Sequence, residues 1–303
     1  MSVLTDDSPV VTTPDTSVPP RHTTVLSLVL ALVAAITAAL TFFVPDFLLG
    51  PPVTNGNARG TALVMLAVGV PVLLIAMQFG RRGSWRAVYF WLGSMFYLAY
   101  NAFLLLFLTP FNRLFLLNVA TESLAIFAIF SLFLALDREW LVDQMRKIPY
   151  RGLAVFVGAI VALNILAWLR EVVPAILADN PLSFLEGTGV ATNGLYVQDL
   201  VFWLPMMAVA AWWVWQRKGT GVLLTGSWLL FGVIESIGIA VDQWFGHQAD
   251  PASSFASEAV IPFMIGLAVV NAIAVYFYVR PNRQKRASSS TPSPNGRHAI
   301  AAP

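Results

Sequence analysis

Apolar residues run along this chain in eight stretches of roughly 19 to 25 positions, each long enough to cross a ~30 Å hydrocarbon core. Within them the apolar positions go all the way round and do not recur on one face, the pattern of buried spans and not of surface helices. The stretches predict helices over Val25–Thr41, Thr61–Phe79, Ala87–Leu108, Leu114–Leu136, Gly152–Leu169, Asp199–Trp215, Gly221–Trp244 and Ala259–Val279. The expected fold class is all-α: a polytopic integral membrane bundle of about eight transmembrane helices, with residues 23–280 as the spanning domain.

The connections carry the orientation. Lys and Arg fall almost entirely into alternate ones: Arg81, Arg82 and Arg86 in the second, Arg138, Arg146, Lys147 and Arg151 in the fourth, Arg217 and Lys218 in the sixth. Arg280, Arg283, Lys285 and Arg286 follow the last span, and only Arg59, Arg113 and Arg170 lie on the other side. Retention of basic residues in the cytoplasm then predicts both termini there. Trp212, Trp213 and Trp215 before Arg217, and Tyr276 and Tyr278 before Arg280, look like interfacial belts at that surface. The long connection 170–198 is expected outside, with room for a short helix but no ninth span, as a lid or a passive loop.

Residues 1–22 hold Asp6, Asp7, Asp15 and Pro19-Pro20, with neither the basic start nor the cleavage site of a signal peptide. They read as a disordered cytoplasmic tail, as does the basic segment 281–303. Charged residues make up only 11% of 303 positions, against roughly 25% in a soluble domain. A net charge of +2, spread over loops, makes no nucleic-acid patch. Without cysteine there is no disulfide, thiolate metal site or cysteine nucleophile. No phosphate-binding loop, zinc-protease or serine-hydrolase motif occurs either. Asp242, His247 and Asp250 match no ligand spacing on a helix, so neither a metal nor a cofactor is expected.

Three echoes in the same order predict an inverted repeat of spans 2–4 and 5–7. Arg59-Gly60-Thr61 pairs with Arg151-Gly152-Leu153, Phe90-Trp91-Leu92 with Phe202-Trp203-Leu204, and Glu122-Ser123-Leu124 with Glu235-Ser236-Ile237. Carriers built this way hold their ligand at the repeat interface near the midplane.

Glu122 and Glu235 are the only ionisable residues deep within spans, roughly 12 to 14 Å below the outer boundary. Such a residue costs roughly 2.5 to 3.5 kcal/mol to insert and marks a functional site by default. Asn118 lies one turn from Glu122, Tyr97 and Asn101 share a face of the third span, Asp242 shares a face with Glu235, and Asp199 opens the sixth span. Together they predict an outward-facing polar vestibule floored by Glu122 and Glu235, whose carboxyls can exchange protons. Each can equally be interhelical glue. Pro205 and Pro262 can mark hinges or passive kinks.

The resulting expectation is a small-solute transporter, proton-coupled through these carboxyls, in the plasma membrane of a bacterium. Its partners are then membrane lipids and a small-molecule solute, with no nucleic acid. The alternatives are a non-catalytic component (a sensor, assembly factor or complex subunit) and an enzyme acting on a lipid or isoprenoid. No residue carries a catalytic motif.

Overall fold

The computed structural model describes residues 19–138 and 149–280; the tails 1–18 and 281–303, with Arg146 and Lys147, lie outside the described residues. Among the described residues there is no strand. Eight helices among the described residues are long and apolar enough to cross a membrane, the build of a multi-pass membrane protein. They are α1 (Arg21–Phe43), α2 (Pro52–Gly80), α3 (Trp85–Phe107), α4 (Phe115–Ala135), α5 (Tyr150–Leu177), α6 (Gly194–Trp215), α7 (Gly219–Ala249) and α8 (Val260–Val279).

Four boundaries lie five or more residues beyond those the apolar pattern predicts. Helix α2 starts at Pro52, where a missing N–H costs nothing at the first helical position. Its polar first turns are satisfied locally: Asn55 bonds Gly50, and Arg59 donates to the Phe42 carbonyl at 3.3 Å while lying over the Phe42 and Phe245 rings. Helix α5 continues through Arg170 and Glu171, which are exposed and need no buried partner, and through Pro174 to Leu177. Helix α6 starts early on the Asn193 side chain, which accepts from the Leu195 amide at 3.1 Å. At its far end α7 runs to Ala249, past Trp244.

The connection expected to span 170–198 therefore shrinks to 178–193, with a short 3₁₀ turn at Pro181–Leu185. It is tied down at its far end. Thr54 Oγ1 donates to the carbonyl of buried Thr188 at 2.9 Å, and Gly189 packs between Pro51 and Pro110.

Helices α3 and α7 form the centre: 72% and 78% of their apolar windows are buried, against 17% for α5 and 6% for α8. Helix α7 packs on α2, α3, α6 and α8; α4 packs on α1 and α3; α5 packs on α6. Missing side chains permit the closest crossings. A Cβ on Gly60 would stand 2.9 Å from the Asp242 amide, one on Gly56 2.9 Å from Gly246 Cα, and one on Gly93 would meet the Ser227 carbonyl. Such close backbone approach lets dispersion hold helices together where no water is displaced. Hydroxyls bind α1 to its neighbours: Thr37 to Thr121 at 3.1 Å, Thr23 to Ser131 at 2.7 Å, and Trp91 Nε1 to Ser27 at 2.9 Å.

One end of the bundle carries Arg81, Arg82, Arg86, Arg138, Arg151, Arg217, Lys218 and Arg280. Contacts cross that end: Arg86 Nε donates to the Val279 carbonyl at 2.8 Å, Arg217 lies over Tyr150, and Arg151 lies over Trp215.

The internal correspondence differs from the inverted repeat read from the echoes. The hairpin α2–α3 matches α6–α7, at the 134-residue separation of Asn101 and Glu235. At that spacing the π-helical turns Met65–Gly69 and Asp199–Trp203 coincide, each followed by a proline, Pro71 or Pro205. Gly83 and Arg217, the turn residues with positive φ (81° and 59°), coincide too. Their closing bonds match: Ser84 N to Phe79 O and Lys218 N to Trp213 O. So do the contacts of Gly69 with Tyr97 and of Trp203 with Phe231. A shift of four helices keeps the chain direction, so this repeat is parallel. Of the residues paired by the echoes, Trp91 bonds Ser27 on α1, whereas Trp203 stacks on Phe231 of α7.

The Gly83 turn offers a clean test, since nothing lies within 4 Å of a Cβ there and only backbone conformation resists one. Gly83→Ala is expected to lower stability by about 1 to 2 kcal/mol, measured by thermal unfolding in detergent. Arg217→Gly, which relieves the same conformation, is expected not to share that loss.

Candidate functional site

The site is built where α3, α6 and α7 meet. Glu235 lies near the middle of α7 and is buried. Asn101, at the matching position of α3, donates its Nδ2 to Glu235 Oε2 at 2.8 Å and also to the Tyr97 carbonyl at 3.0 Å. This amide satisfies one carboxyl oxygen across the helix interface. Asp242, two turns or about 10 Å further along α7, is half-buried with its backbone against Gly60. Asp199, buried at the first position of the α6 π-helical turn, accepts from Trp168 Nε1 at 2.8 Å. Tyr100 on α3 lies within electrostatic range of Asp199, and its ring meets Trp203 on α6 with centroids 5.7 Å apart. Glu235 lies within range of the charge of Asp199 on one side and of Asp242 on the other.

Tyr97 points into this cluster. Its ring rests on Gly69, it is fully buried, and its hydroxyl makes no hydrogen bond. A buried hydroxyl without a partner costs roughly 1 to 3 kcal/mol, so its place in the core needs a reason. Beside it, Gly238 leaves methyl-sized room: a Cβ there would lie 3.5 Å from Tyr97 Oη and 3.9 Å from Glu235 Oε2, at ordinary contact distance.

The structure thus brings together five of the seven residues singled out from sequence: Tyr97, Asn101, Asp199, Glu235 and Asp242. Glu122 and Asn118 stand apart on α4, whose neighbours are α1 and α3, with α3 between them and α7. Glu122 is half-buried and Asn118 buried, and each keeps an unpartnered oxygen. Of the other polar residues in helices, Asn164 bonds its own helix at Ile160, and Asn271 rests on Gly232. Pro205 follows a π-helical turn, which absorbs its missing N–H. Pro262 sits in the first turn of α8, where no kink is needed.

Several partners escaped the sequence. Trp168 holds Asp199, and Gln198 Nε2 reaches the Tyr100 carbonyl at 3.4 Å. Trp203 stacks on Phe231 with centroids 5.6 Å apart and meets Phe96, Tyr100 and Trp228 edge-on or tilted. Single apolar or aromatic residues in an apolar chain give no signal of this kind. The two glycines of Gly56-x-x-x-Gly60 did offer one, as a small-residue interface.

Comparison with protein-family models, with curated proteins and with solved structures finds no match. The chemistry must be argued from the site alone. No group of three or more His, Asp or Glu among the described residues converges as a metal site would. No Lys, Arg or His is buried among them either. Asp199 and Glu235 are thus buried without a buried base, whereas Asp242, like Arg59 and His247, is half-buried. Two cavities of about 340 Å³ open elsewhere: one between the end of α5 and the start of α6 beside Tyr196, the other between α2 and α3 beside Arg86.

The grouping makes an energetic statement. In a double-mutant cycle, Asn101→Ala and Glu235→Ala are expected to couple by about 0.6 to 1.7 kcal/mol in thermal or denaturant unfolding. Glu122→Ala and Glu235→Ala, on helices that do not pack together, are expected to add.

Proposed function

We propose that the protein is a carrier for a small solute, coupled to proton movement, with its basic end and both termini facing the cytoplasm of a bacterium. The observation that supports this most directly is the buried Glu235 carboxyl, held by Asn101 at 2.8 Å beside the unpartnered Tyr97 hydroxyl, with Asp199 and half-buried Asp242 within range of its charge. Intramembrane carboxyls facing a bundle interior are the groups from which proton relays are made. The Asn101–Glu235 bond joins equivalent positions of two parallel hairpins. Parallel repeats are one of the two ways carriers place a site between halves that move against each other. The π-helical turns before Pro71 and Pro205 supply one deformable point in each hairpin.

The orientation rests on the basic residues gathered at one end of the bundle. In whole cells, single cysteines at Asn193 and Gly83 are expected to react oppositely with a membrane-impermeant thiol reagent, Asn193→Cys labelling and Gly83→Cys not. The reverse pattern would turn the molecule over. The chain has no cysteine of its own to confuse the readout.

For the function, protein in vesicles loaded with a pH-sensitive dye is challenged with panels of small amines, amino acids and sugars. Wild type is expected to move protons in response to at least one solute. Glu235→Gln, checked for an unchanged unfolding temperature, should lose at least ten-fold of that flux. If no panel member drives proton movement in wild type, the carrier reading falls. A non-catalytic membrane component is then favoured, as the long apolar faces of α5 and α8 would suit protein neighbours as well as lipid.

A further inference from the structure

The cavity between α2 and α3 is an apolar slot with a basic mouth. Val72, Ile75 and Phe79 of α2 and Phe90 of α3 form its walls, and Ser84 and Arg86 lie where the two helices join. Ile75 and Phe79 are 59% and 51% exposed, so the slot opens on the outer side of the bundle and not into its core. From Phe79 to Val72 it follows α2 for two turns, or about 10 Å, away from the basic end. A volume of about 340 Å³ lined in this way has the shape and polarity of a seat for an acyl chain.

The charge at its mouth is unanswered. Arg86 is fixed by two contacts: its Nε donates to the Val279 carbonyl at 2.8 Å, and its guanidinium lies over the Trp85 ring, 4.7 Å from the centroid. Neither of its terminal nitrogens is hydrogen-bonded among the described residues. Arg81 and Arg82 are exposed on the same turn, and Arg82 lies over Phe79 at 5.7 Å. The Val279 contact brings the next residue, Arg280, to this corner as well. No Asp or Glu occurs between Asp46 and Glu122, so neither α2 nor α3 carries an acid that could neutralise the group.

The matching hairpin, α6–α7, has the same turn without the slot. Gly221 stands there in the place of Ala87, and a Cβ on it would meet the backbone and Cβ of Trp213, the counterpart of Phe79. The missing side chain lets α7 lie directly against α6. Arg81, Arg82 and Arg86 correspond to Trp215, Gln216 and Thr220. The three arginines thus belong to the hairpin whose helices stand apart and not to the one that Gly221 closes.

We infer that the slot binds one anionic phospholipid, with its phosphate on Arg86 beside Arg81 and Arg82 and one acyl chain between α2 and α3 toward Val72. Basic pockets between spanning helices bind acidic lipid headgroups. The terminal nitrogens of an Arg already held at Nε can donate two parallel N–H bonds to a phosphate. A zwitterionic lipid would bring its ammonium to a corner with no acid to receive it, and a free phosphate would leave the apolar walls unfilled. The inference does not depend on the carrier reading. Binding is non-covalent.

The test is native mass spectrometry of the purified, delipidated full chain in detergent, titrated with an equimolar mixture of dioleoyl phosphatidylglycerol and dioleoyl phosphatidylcholine. One phosphatidylglycerol is expected to bind at least ten-fold tighter than phosphatidylcholine, and excess inorganic phosphate should not displace it. Arg86→Gln should weaken that binding about ten-fold. If this variant does not fold, the double variant Arg81→Gln/Arg82→Gln decides, since both side chains are exposed; it should weaken binding about five-fold. Val72→Trp, which fills the slot and leaves every charge in place, should also weaken it about five-fold. Lys218→Gln, which removes one charge from the same end at the closed hairpin, should leave it within two-fold. Equal binding of the two lipids overturns the inference. Displacement by inorganic phosphate does so too, by showing a site for a free anion. So does Val72→Trp without effect, or Lys218→Gln as damaging as Arg86→Gln, since either would reduce the preference to the general charge of the basic end.

Discussion

Everything in this molecule depends on how closely α7 can lie against its neighbours. A helix of 31 residues with 78% of its apolar window buried must be met on nearly every side. Glycines make that possible: Gly56 and Gly60 bring α2 onto the α7 backbone, Gly93 brings α3 onto Ser227, and Gly226 admits the Tyr89 and Tyr278 rings. Without displaced water to drive association, dispersion across such contacts is the main attractive force between apolar helices. The same approach distance sets the reach of the polar groups. Asn101 can bond Glu235 at 2.8 Å because α3 and α7 already touch at Gly93, two turns away.

Two kinds of polar contact follow, and they divide the bundle. Around α1 the partners are hydroxyls that bond one another or the carbonyl one turn back, as with Thr37, Thr121 and Ser27. These pairs are satisfied and neutral and tie α1 to α3 and α4, while Thr24 Oγ1 on α1 and the Asn118 and Glu122 oxygens on α4 lack partners. Around α3, α6 and α7 the partners are carboxyls, an amide and two tyrosines, and satisfaction is incomplete at Tyr97. A fold that needed only glue could have used the first kind throughout. Acids concentrated on the central helices, with an orphaned hydroxyl among them, set that region apart from the rest of the bundle.

The two hairpins share backbone features more than residues. Over residues 60–107 and their counterparts 134 positions on, the identities are Gly60 with Gly194, Leu66 with Leu200, Pro71 with Pro205, Ala76 with Ala210 and Val88 with Val222. Their surroundings have diverged as well. Helix α1 is fastened to α4 by two hydroxyl pairs, whereas α5 packs on α6 and α8 on α7, leaving both with long apolar faces. One half is closed and the other open.

By itself the sequence determined the helix count and class, because apolar runs of spanning length have few other uses and because basic residues segregate to alternate turns. It also determined which buried positions are chemically unusual, since an acid or amide stands out in an apolar run. Tertiary structure alone decided how those positions combine. Glu122 and Glu235 look alike in sequence, each followed by a serine in an apolar stretch, yet one faces α1 and α3 from the edge and the other lies at the centre. Periodicity reports which face of a helix a residue occupies and is silent on which helix lies opposite. The parallel repeat was hidden for the same reason. Its marks are a π-helical turn, a positive φ and a shared register, properties of the backbone that Gly83 and Arg217 can both adopt. The three-residue echoes, by contrast, rest on Phe, Trp and Leu, residues found throughout this apolar chain.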